Sequence, residues 1–431
     1  MSINADKLRS ALGLEAAKVT AVAGPNFSGR TRILRAATNL ADHIDPTPVV
    51  PALSGAPAAY IGPEISNCIS GLASTVRGEL KLNSGGDIED SPAYLLVNEF
   101  ALDRFYDRNP FTLSGGEQAC LAISSALALQ PEVLAIDCAL EQLDRKMKPF
   151  VTGLLASGKA TAGTAVVVAD NRLDECALPV TPVEAATIDM PPMNLGSAFP
   201  KIDPSIRIPE VGSFSGTLEL ADITFAYPKS SPVLEGLSMR FEPGKPYFIL
   251  GHNGAGKSTL AKLMAGVIRA NSGSMVRGGE PFDPYRQPGQ AVTYHFQNPD
   301  LQLFATTVEE EVTEVARMKR AKFPGLADRA DAVISAFGLD TVRSEHPLDL
   351  PFVLRKRIAL AATVAAGSNW VILDEPTLGQ DREASESLGA IIDGLLSTGL
   401  GVLIITHSDT FLEILPGERL VLKDRSLKSS C

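Results

Sequence analysis

The residues Gly251-His252-Asn253-Gly254-Ala255-Gly256-Lys257-Ser258 match G-x-x-x-x-G-K-[ST] in full. They follow the apolar run Tyr247-Phe248-Ile249-Leu250 and precede a helix-like run from Ser258 to Arg269. That context makes the motif a phosphate cradle rather than a chance glycine turn. Glycines let the backbone wrap a phosphate with successive N–H groups pointing inward, and a helix N-terminus adds a favourable dipole. In such a loop Lys257 reaches the β- and γ-phosphates, Ser258 can ligate Mg²⁺, and Asn253, Gly254, Gly256 and Thr259 line the same turn. Further along, Val371-Ile372-Leu373-Asp374-Glu375-Pro376 ends a second apolar run in two carboxylates. An acid at a strand end, here Asp374, can hold Mg²⁺ beside the loop. The adjacent Glu375 can orient or deprotonate an attacking water, a contribution of about 10²–10⁴-fold for a placed base.

These groups must be positioned by buried strands and the helices that follow them. Trp370–Leu373 and Val402–Ile405 read as buried parallel strands, as do Val19–Val22, Val133–Ile136 and Ala165–Val168 earlier in the chain. Alternating strands and helices predict an α/β fold with a mostly parallel central sheet. The 431 residues are 45% hydrophobic and 21% charged, enough to bury more than one core. Pro179, Pro182, Pro191, Pro192, Pro200, Pro204 and Pro209 crowd the stretch from Leu178 to Gly212, which reads as an extended connector. The expected organisation is a domain over 1–180, a proline-rich linker over 181–214 and a second domain over 215–431. Leu326, Ala330, Val333, Ile334 and Phe337 share one helical face, expected to pack on its own domain.

The ordered set in the second half resembles an ABC-type ATPase domain. The Walker A motif is Gly251–Ser258 and Walker B is Val371–Glu375, with Gln297 between them and His407 after. The resemblance implies two such P-loop NTPase domains fused in tandem, each with a helical subdomain, and ATP with Mg²⁺ as the cofactors. It implies that Tyr227 stacks on adenine. It also implies that Gln297 senses Mg²⁺ and the γ-phosphate, that Asp381 belongs to the D-loop, and that His407 contacts the γ-phosphate. Catalysis would then rest on Glu375, His407 and Gln297, and metal binding on Ser258, Gln297 and Asp374. One part departs from the family pattern. Where Leu-Ser-Gly-Gly-Gln is expected, this half reads Leu350-Pro351-Phe352-Val353-Leu354.

The missing signature stands in the first half, as Leu113-Ser114-Gly115-Gly116-Glu117-Gln118. Around it the same order recurs in damaged form. Gly24-Pro25-Asn26-Phe27-Ser28-Gly29-Arg30-Thr31 has arginine for lysine, Asp137-Cys138 has cysteine for the glutamate, and Asp170 stands at the histidine position. No glutamine lies between Tyr60 and Val76, and no aromatic strand precedes Val19. Leu113 and Leu350, Asp137 and Asp374, and Asp170 and His407 are each 237 residues apart, whereas Gly24 and Gly251 are 227 apart, which marks a tandem repeat. Cysteine is no carboxylate base, arginine does not replace a lysine point charge cleanly, and Asp170 would repel a γ-phosphate. ABC domains pair head to tail. The resemblance therefore implies an intramolecular pseudo-dimer with one competent ATP site, in which Ser114, Gly115 and Gly116 complete the set begun by Lys257.

Within that family, Phe296-Gln297-Asn298-Pro299-Asp300-Leu301-Gln302-Leu303-Phe304 and Thr307-Val308-Glu309-Glu310-Glu311-Val312 resemble the ATPase subunits of energy-coupling-factor importers of vitamins, cobalt or nickel. The resemblance implies partners, an integral membrane scaffold and a substrate-binding membrane subunit, and a peripheral location on the cytoplasmic face of the membrane. The segment 296–312 would face the scaffold. A soluble ABC ATPase working on ribosomes or DNA, or a regulatory ATP sensor, is the competing expectation. The net charge of −11 disfavours a nucleic-acid partner. No run approaches the ~18 apolar residues of a membrane span, and the N-terminus shows no signal-peptide pattern. The five cysteines, Cys68, Cys120, Cys138, Cys176 and Cys431, have no metal-site spacing and read as free thiols.

Overall fold

The computed structural model describes residues 5–24, 26, 28, 30–38, 58–144, 146–188, 201–209, 216–228, 231–252, 254–319 and 325–429. Asn253, Pro25, Phe27, Gly29, Pro191, Pro192, Pro200 and Cys431 lie outside these residues, as does the Leu326 side chain. The chain divides into two compact units, Met1–Ser197 and Ala198–Cys431.

Unit 1 is built from α1 (Ala5–Leu12), β1 (Val19–Ala23), α2 (Arg30–Ala37), β2 (Ala58–Ile61), α3 (Val76–Ser84), α4 (Tyr94–Glu99), α5 (Gly115–Ala128), β3 (Val133–Asp137), α6 (Met147–Ala156), β4 (Ala165–Ala169) and β5 (Val183–Glu184). The strands form one parallel sheet in the order β2-β3-β4-β1-β5. Alternate residues of the same strands feed two cores. Leu134, Ile136, Val166 and Val168 pack toward α5, and Val133, Ala135, Val167 and Ala169 pack toward α1 and α2. Burial on both faces explains why these strands are continuous apolar runs.

Unit 2 continues with β6 (Leu218–Phe225), β7 (Leu234–Phe241), β8 (Pro246–Leu250), α7 (Lys257–Met264), β9 (Ser272–Arg277), β10 (Glu280–Phe282), β11 (Val292–His295), α8 (Val308–Lys319) and α9 (Leu326–Ala336). It closes with α10 (Phe352–Ala365), β12 (Trp370–Asp374), α11 (Arg382–Ser397), β13 (Gly401–Ile405), α12 (Asp409–Ile414), β14 (Glu418–Lys423) and β15 (Ser426–Ser429). Its main sheet runs β11-β12-β13-β8-β14-β15, parallel but for β15. A second sheet, β10-β9-β6-β7, is antiparallel and shares a core with the first through Phe241, Trp370 and Tyr247. Sequence reasoning did not anticipate this sheet. Its strands are half exposed, and β6 is broken by register shifts around Asp222, whose φ is +53°. Helices α8, α9 and α10 pack together, with Ala330, Val333, Ile334 and Phe337 buried as the helical face predicts. The P-loop helix stops at Met264, short of the expected Arg269.

The proline-rich stretch is less uniform than an extended connector. Val183 and Glu184 pair with Val22 and Ala23 at the edge of the first sheet. Residues 201–209 lie on unit 2 as a strap. Ile202 and Ile208 are buried, the Asp203 N–H donates to the Ala336 carbonyl at 2.7 Å, and Arg329 Nη1 donates to the Pro209 carbonyl at 2.6 Å. The sequence hid this because the backbone contacts of proline-rich segments leave no periodicity. Gly338 is required beneath the strap: its φ is +66°, and a Cβ there would sit 2.0 Å from the Lys201 carbonyl oxygen. Gly338→Val is expected to lift the strap and lower unit 2 stability by about 1–3 kcal/mol. Urea unfolding and limited proteolysis around 201–209 check this; an unchanged midpoint and cleavage pattern would contradict it.

Candidate functional site

Parallel pairing places four motif-bearing loops at one edge of the unit 2 sheet. Asp374 pairs with Ile405, Ile405 with Ile249, and Leu373 with His295. The chain after each strand therefore leaves at one level. After β8 it enters the glycine loop. Gly251 has φ of +149°, and a Cβ there would meet the Leu422 carbonyl oxygen at 2.6 Å, so the turn admits only glycine. Gly254 and Gly256 also have positive φ, and Gly256 leads into α7. Lys257 is nearly buried, with Nζ donating to the Gly251 and His252 carbonyls at 2.7 and 3.1 Å. Thr259 sits one turn in, 3.2 Å from the Tyr227 hydroxyl. Tyr227 is 42% exposed and forms a T-shaped pair with Phe225.

After β12, Asp374 is buried, and its Oδ2 accepts from the Tyr294 hydroxyl at 2.6 Å. Burial, then the Asp374 charge, hold the Tyr294 phenol well above its ordinary pKa, while a hydrogen bond with Ser258 opposes them. Ser258, Asp374 and Tyr294 thus form one oxygen cluster at the foot of the P-loop helix. Oxygen donors of this kind suit a hard divalent cation such as Mg²⁺. Glu375 adopts a left-handed backbone, φ +48°, and its N–H donates to the Ile405 carbonyl at 2.8 Å. Its Oε2 accepts from Thr406 Oγ1 and from the His407 N–H, both at 3.3 Å, and its Oε1 lies 3.9 Å from His407 Nε2. Gln297 follows β11, and its carbonyl accepts from Lys356 Nζ at 2.6 Å.

Lys356 was missed by sequence reasoning. It is fully buried on α10, and its amine also faces the carbonyls of Phe296 and Asp374 at 3.5 Å. Burial pushes its pKa down to about 7, against the pull of Asp374 and then Glu375. The amine ties the segment carrying Gln297 to the end of β12.

The signature positions differ between the units. In unit 1, Ser114 caps α5 in a full capping box. Its Oγ accepts from the Glu117 N–H, and its own N–H donates to Glu117 Oε2 at 2.7 Å. Ser114 and Gly115 are partly exposed, and Gly116 is buried in the first turn. A helix N-terminus with glycine in its first turn presents backbone N–H groups to an anion. In unit 2, Pro351 stands at the equivalent cap with no side-chain cap bond, and the Phe352 ring packs where a Cβ on Gly379 would lie 2.9 Å away. That helix end thus lacks both the serine cap and the first-turn glycines.

The damaged motifs of unit 1 occupy the equivalent sheet edge. Cys138 repeats the left-handed backbone of Glu375, φ +53°, and the Tyr60 hydroxyl repeats Tyr294 by donating to Asp137 Oδ2 at 2.8 Å. The Cys138 thiol is held protonated by burial and by Glu141. The expectation that Asp170 presents a repelling charge is corrected here. Its carboxylate is buried in an ion pair with Lys148 at 2.9 Å and also accepts from the Arg172 N–H.

A second repeated feature also escaped the sequence reading. Thr75-Val76-Arg77-Gly78-Glu79 and Thr307-Val308-Glu309-Glu310-Glu311 are 232 residues apart. Glu79 accepts from the Ser70 N–H and hydroxyl at 2.7 and 2.6 Å, and Glu311 Oε2 accepts from the Phe304 and Ala305 N–H groups at 2.8 Å. Each buried carboxylate pins a loop that turns an apolar side chain outward, Leu72 at 83% exposure and Phe304 at 71%. The shared T-V-x-x-E pattern was the available signal. Glu79→Ala removes the acceptor of both Ser70 donors, and because Ser70 is exposed and water can take its place, the expected cost is about 1 kcal/mol. An unchanged unit 1 unfolding midpoint in urea would contradict that.

Comparison with known proteins gives a consistent result. The ABC transporter family matches residues 234–378. An energy-coupling factor transporter ATP-binding protein of Thermotoga maritima is 31% identical over 196 residues, 46% of this chain and 74% of that protein. An ABC transporter ATP-binding protein of Treponema denticola is 26% identical over 349 residues, 76% of this chain and 70% of that one. An uncharacterized ABC transporter ATP-binding protein of Mycobacterium tuberculosis is 28% identical over 443 residues, 99% of this chain and 61% of that one. The solved structure of CbiO1 from Clostridium perfringens, part of the ABC transporter complex CbiONQ, aligns at 25% identity and a TM-score of 0.43 over 49% of this chain and 86% of its own.

Proposed function

Because the chain belongs to the ABC transporter ATP-binding proteins, we propose that it is the ATP-hydrolysing subunit of an importer of the energy-coupling-factor type, with a single working ATP site. One observation carries this reading. The phosphate loop, carboxylates and histidine are intact at the unit 2 sheet edge, whereas a capped, partly exposed signature helix N-terminus is found in unit 1. The site needs both. Head-to-tail pairing of the units within one chain brings Ser114, Gly115 and Gly116 to the nucleotide held by Lys257.

In this reading Tyr227 stacks on the base, while Asn253, Gly254, Gly256 and Thr259 shape the phosphate turn. Lys257 exchanges its loop carbonyls for phosphate oxygens, a small move for a rotatable ammonium. Ser258, Asp374 and Gln297 would hold Mg²⁺, which would supply neutralisation of phosphate charge when bound. Glu375, fixed by its backbone bond to β13, takes the proton of the attacking water. His407, beside it, steadies the γ-phosphate. The Ser114 hydroxyl and the first N–H groups of α5 meet the developing charge from the other side. Glu375→Gln is expected to lower hydrolysis about 10²–10⁴-fold with ATP still bound. Ser114→Phe is expected to cripple turnover from the opposite unit. A steady-state assay with phosphate release decides both, and a normal rate in either variant contradicts the one-site account.

The exposed loop after Gln297 supports the transport part. Its polar side chains turn inward: Gln302 accepts from the Phe296 N–H and donates to the Ala359 carbonyl, and Glu311 pins Phe304 and Ala305. Its apolar ones, Leu301 and Phe304, are each 71% exposed. That inverted pattern marks a contact surface, and an apolar coupling segment of an integral membrane scaffold fits it. Among the described residues no helix is long and apolar enough to cross a membrane. We expect a tagged Glu375→Gln chain, pulled from solubilised membranes with ATP, to bring down a scaffold and a small substrate-binding membrane subunit. Phe304→Asp should lose both while keeping basal hydrolysis. Recovery of only ribosomal, DNA-associated or other soluble proteins would remove the transport assignment.

A further inference from the structure

The two phosphate-loop cations do different things. Lys257 keeps its amine inside its own loop, on the Gly251 and His252 carbonyls. Arg30, at the matching position of unit 1, leaves the loop and crosses to the end of β4. Its Nη1 donates to the Asp170 carbonyl at 3.0 Å, and its Nη2 donates to Asn26 Oδ1 at 3.1 Å and to Asn171 Oδ1. The side chain is 6% exposed. Asn171 is fixed in turn, because its Nδ2 donates to Glu141 Oε1 at 2.8 Å. Asp170, whose carbonyl Arg30 engages, is anchored by the buried Lys148 amine.

The groups that surround a phosphate in an intact cassette are here bonded to one another. The guanidinium fork spans the loop and the strand end, the gap a γ-phosphate bridges from a Lys257-type loop to a His407-type strand end. A planar fork fixed at several acceptors does not swing aside as an ammonium does. Displacing it would also strip partners from buried polar groups, a full desolvation cost rather than a simple exchange. The cluster already holds three buried carboxylates, Asp137, Asp170 and Glu141, beside the cations Arg30 and Lys148. A triphosphate would add further negative charge beside these carboxylates.

We propose that Arg30, held between Asn26 and the end of β4, acts as a latch that stands in the place of a phosphate in unit 1, so that this unit takes no nucleotide and the chain binds one ATP. The latch replaces the ligand as the link between loop and strand end. It keeps unit 1 rigid for its remaining task of presenting Ser114. This inference rests on the reading that unit 2 holds ATP, and the test separates the two.

Equilibrium dialysis of radiolabelled ATP with Mg²⁺ against the intact Glu375→Gln chain is expected to give one nucleotide per chain at saturation. Adding Lys257→Ala should bring it to none. Arg30→Met in the Glu375→Gln background should keep the count at one and lower the thermal unfolding midpoint, because the arginine is structural. Two nucleotides per chain would overturn the latch. So would saturable binding that survives Lys257→Ala, or a count that falls with Arg30→Met. No binding to the Glu375→Gln chain would instead overturn the ATPase reading, and this inference with it.

Discussion

Everything at the site depends on the parallel registration of β11, β12, β13 and β8. Motif residues far apart in sequence leave the sheet at one edge because these strands are paired in step, Asp374 beside Ile405 and Ile405 beside Ile249. The strands are buried on both faces, so a one-residue slip would misplace whole apolar rows. Hydrophobic packing thereby sets the positions of Lys257, Asp374, Glu375 and His407 without any of them contributing to the core. Tyr294 and Lys356 then tie neighbouring strand ends and loops together.

Unit 1 keeps that scaffold and changes what stands on it. Its sheet order, the tyrosine on the Asp137 carboxylate, the left-handed residue after it and the carboxylate pinning Leu72 all repeat unit 2. Lost are the lysine, the glutamate and the histidine; kept is a capped, partly exposed α5 N-terminus. Unit 2 shows the reverse, with Pro351 and Phe352 in place of the serine and glycine at the equivalent helix end. Each unit has diverged where the proposed single site does not need it. Such losses are tolerated when polar groups orphaned by one substitution are satisfied by another, as Arg30, Asn171 and Glu141 do for each other.

The strands and motif loops were legible in the sequence because phosphate chemistry demands fixed residue types at fixed spacing, and doubly buried strands are apolar throughout. The repeat was legible for the same reason, through equal offsets. What was hidden depends on residues meeting across the fold. Arg30 and Asn171 are 141 positions apart, and Lys356 reaches Gln297 across 59; no local pattern announces either contact. The antiparallel sheet was hidden because β6, β7, β9 and β10 are half exposed and irregular. The charge on Asp170 was misjudged because its partner, Lys148, sits on a helix that sequence reasoning gave no role.

The central claim is that one chain assembles one complete site from its own two units. Hydrolysis measured against protein concentration, at several ATP levels, tests it most directly. The account predicts a specific activity independent of concentration and a hyperbolic ATP dependence with a Hill coefficient near one. Specific activity that rises with protein concentration, or a Hill coefficient well above one, would show that the working site forms between separate chains or that two sites cooperate, and would contradict the account.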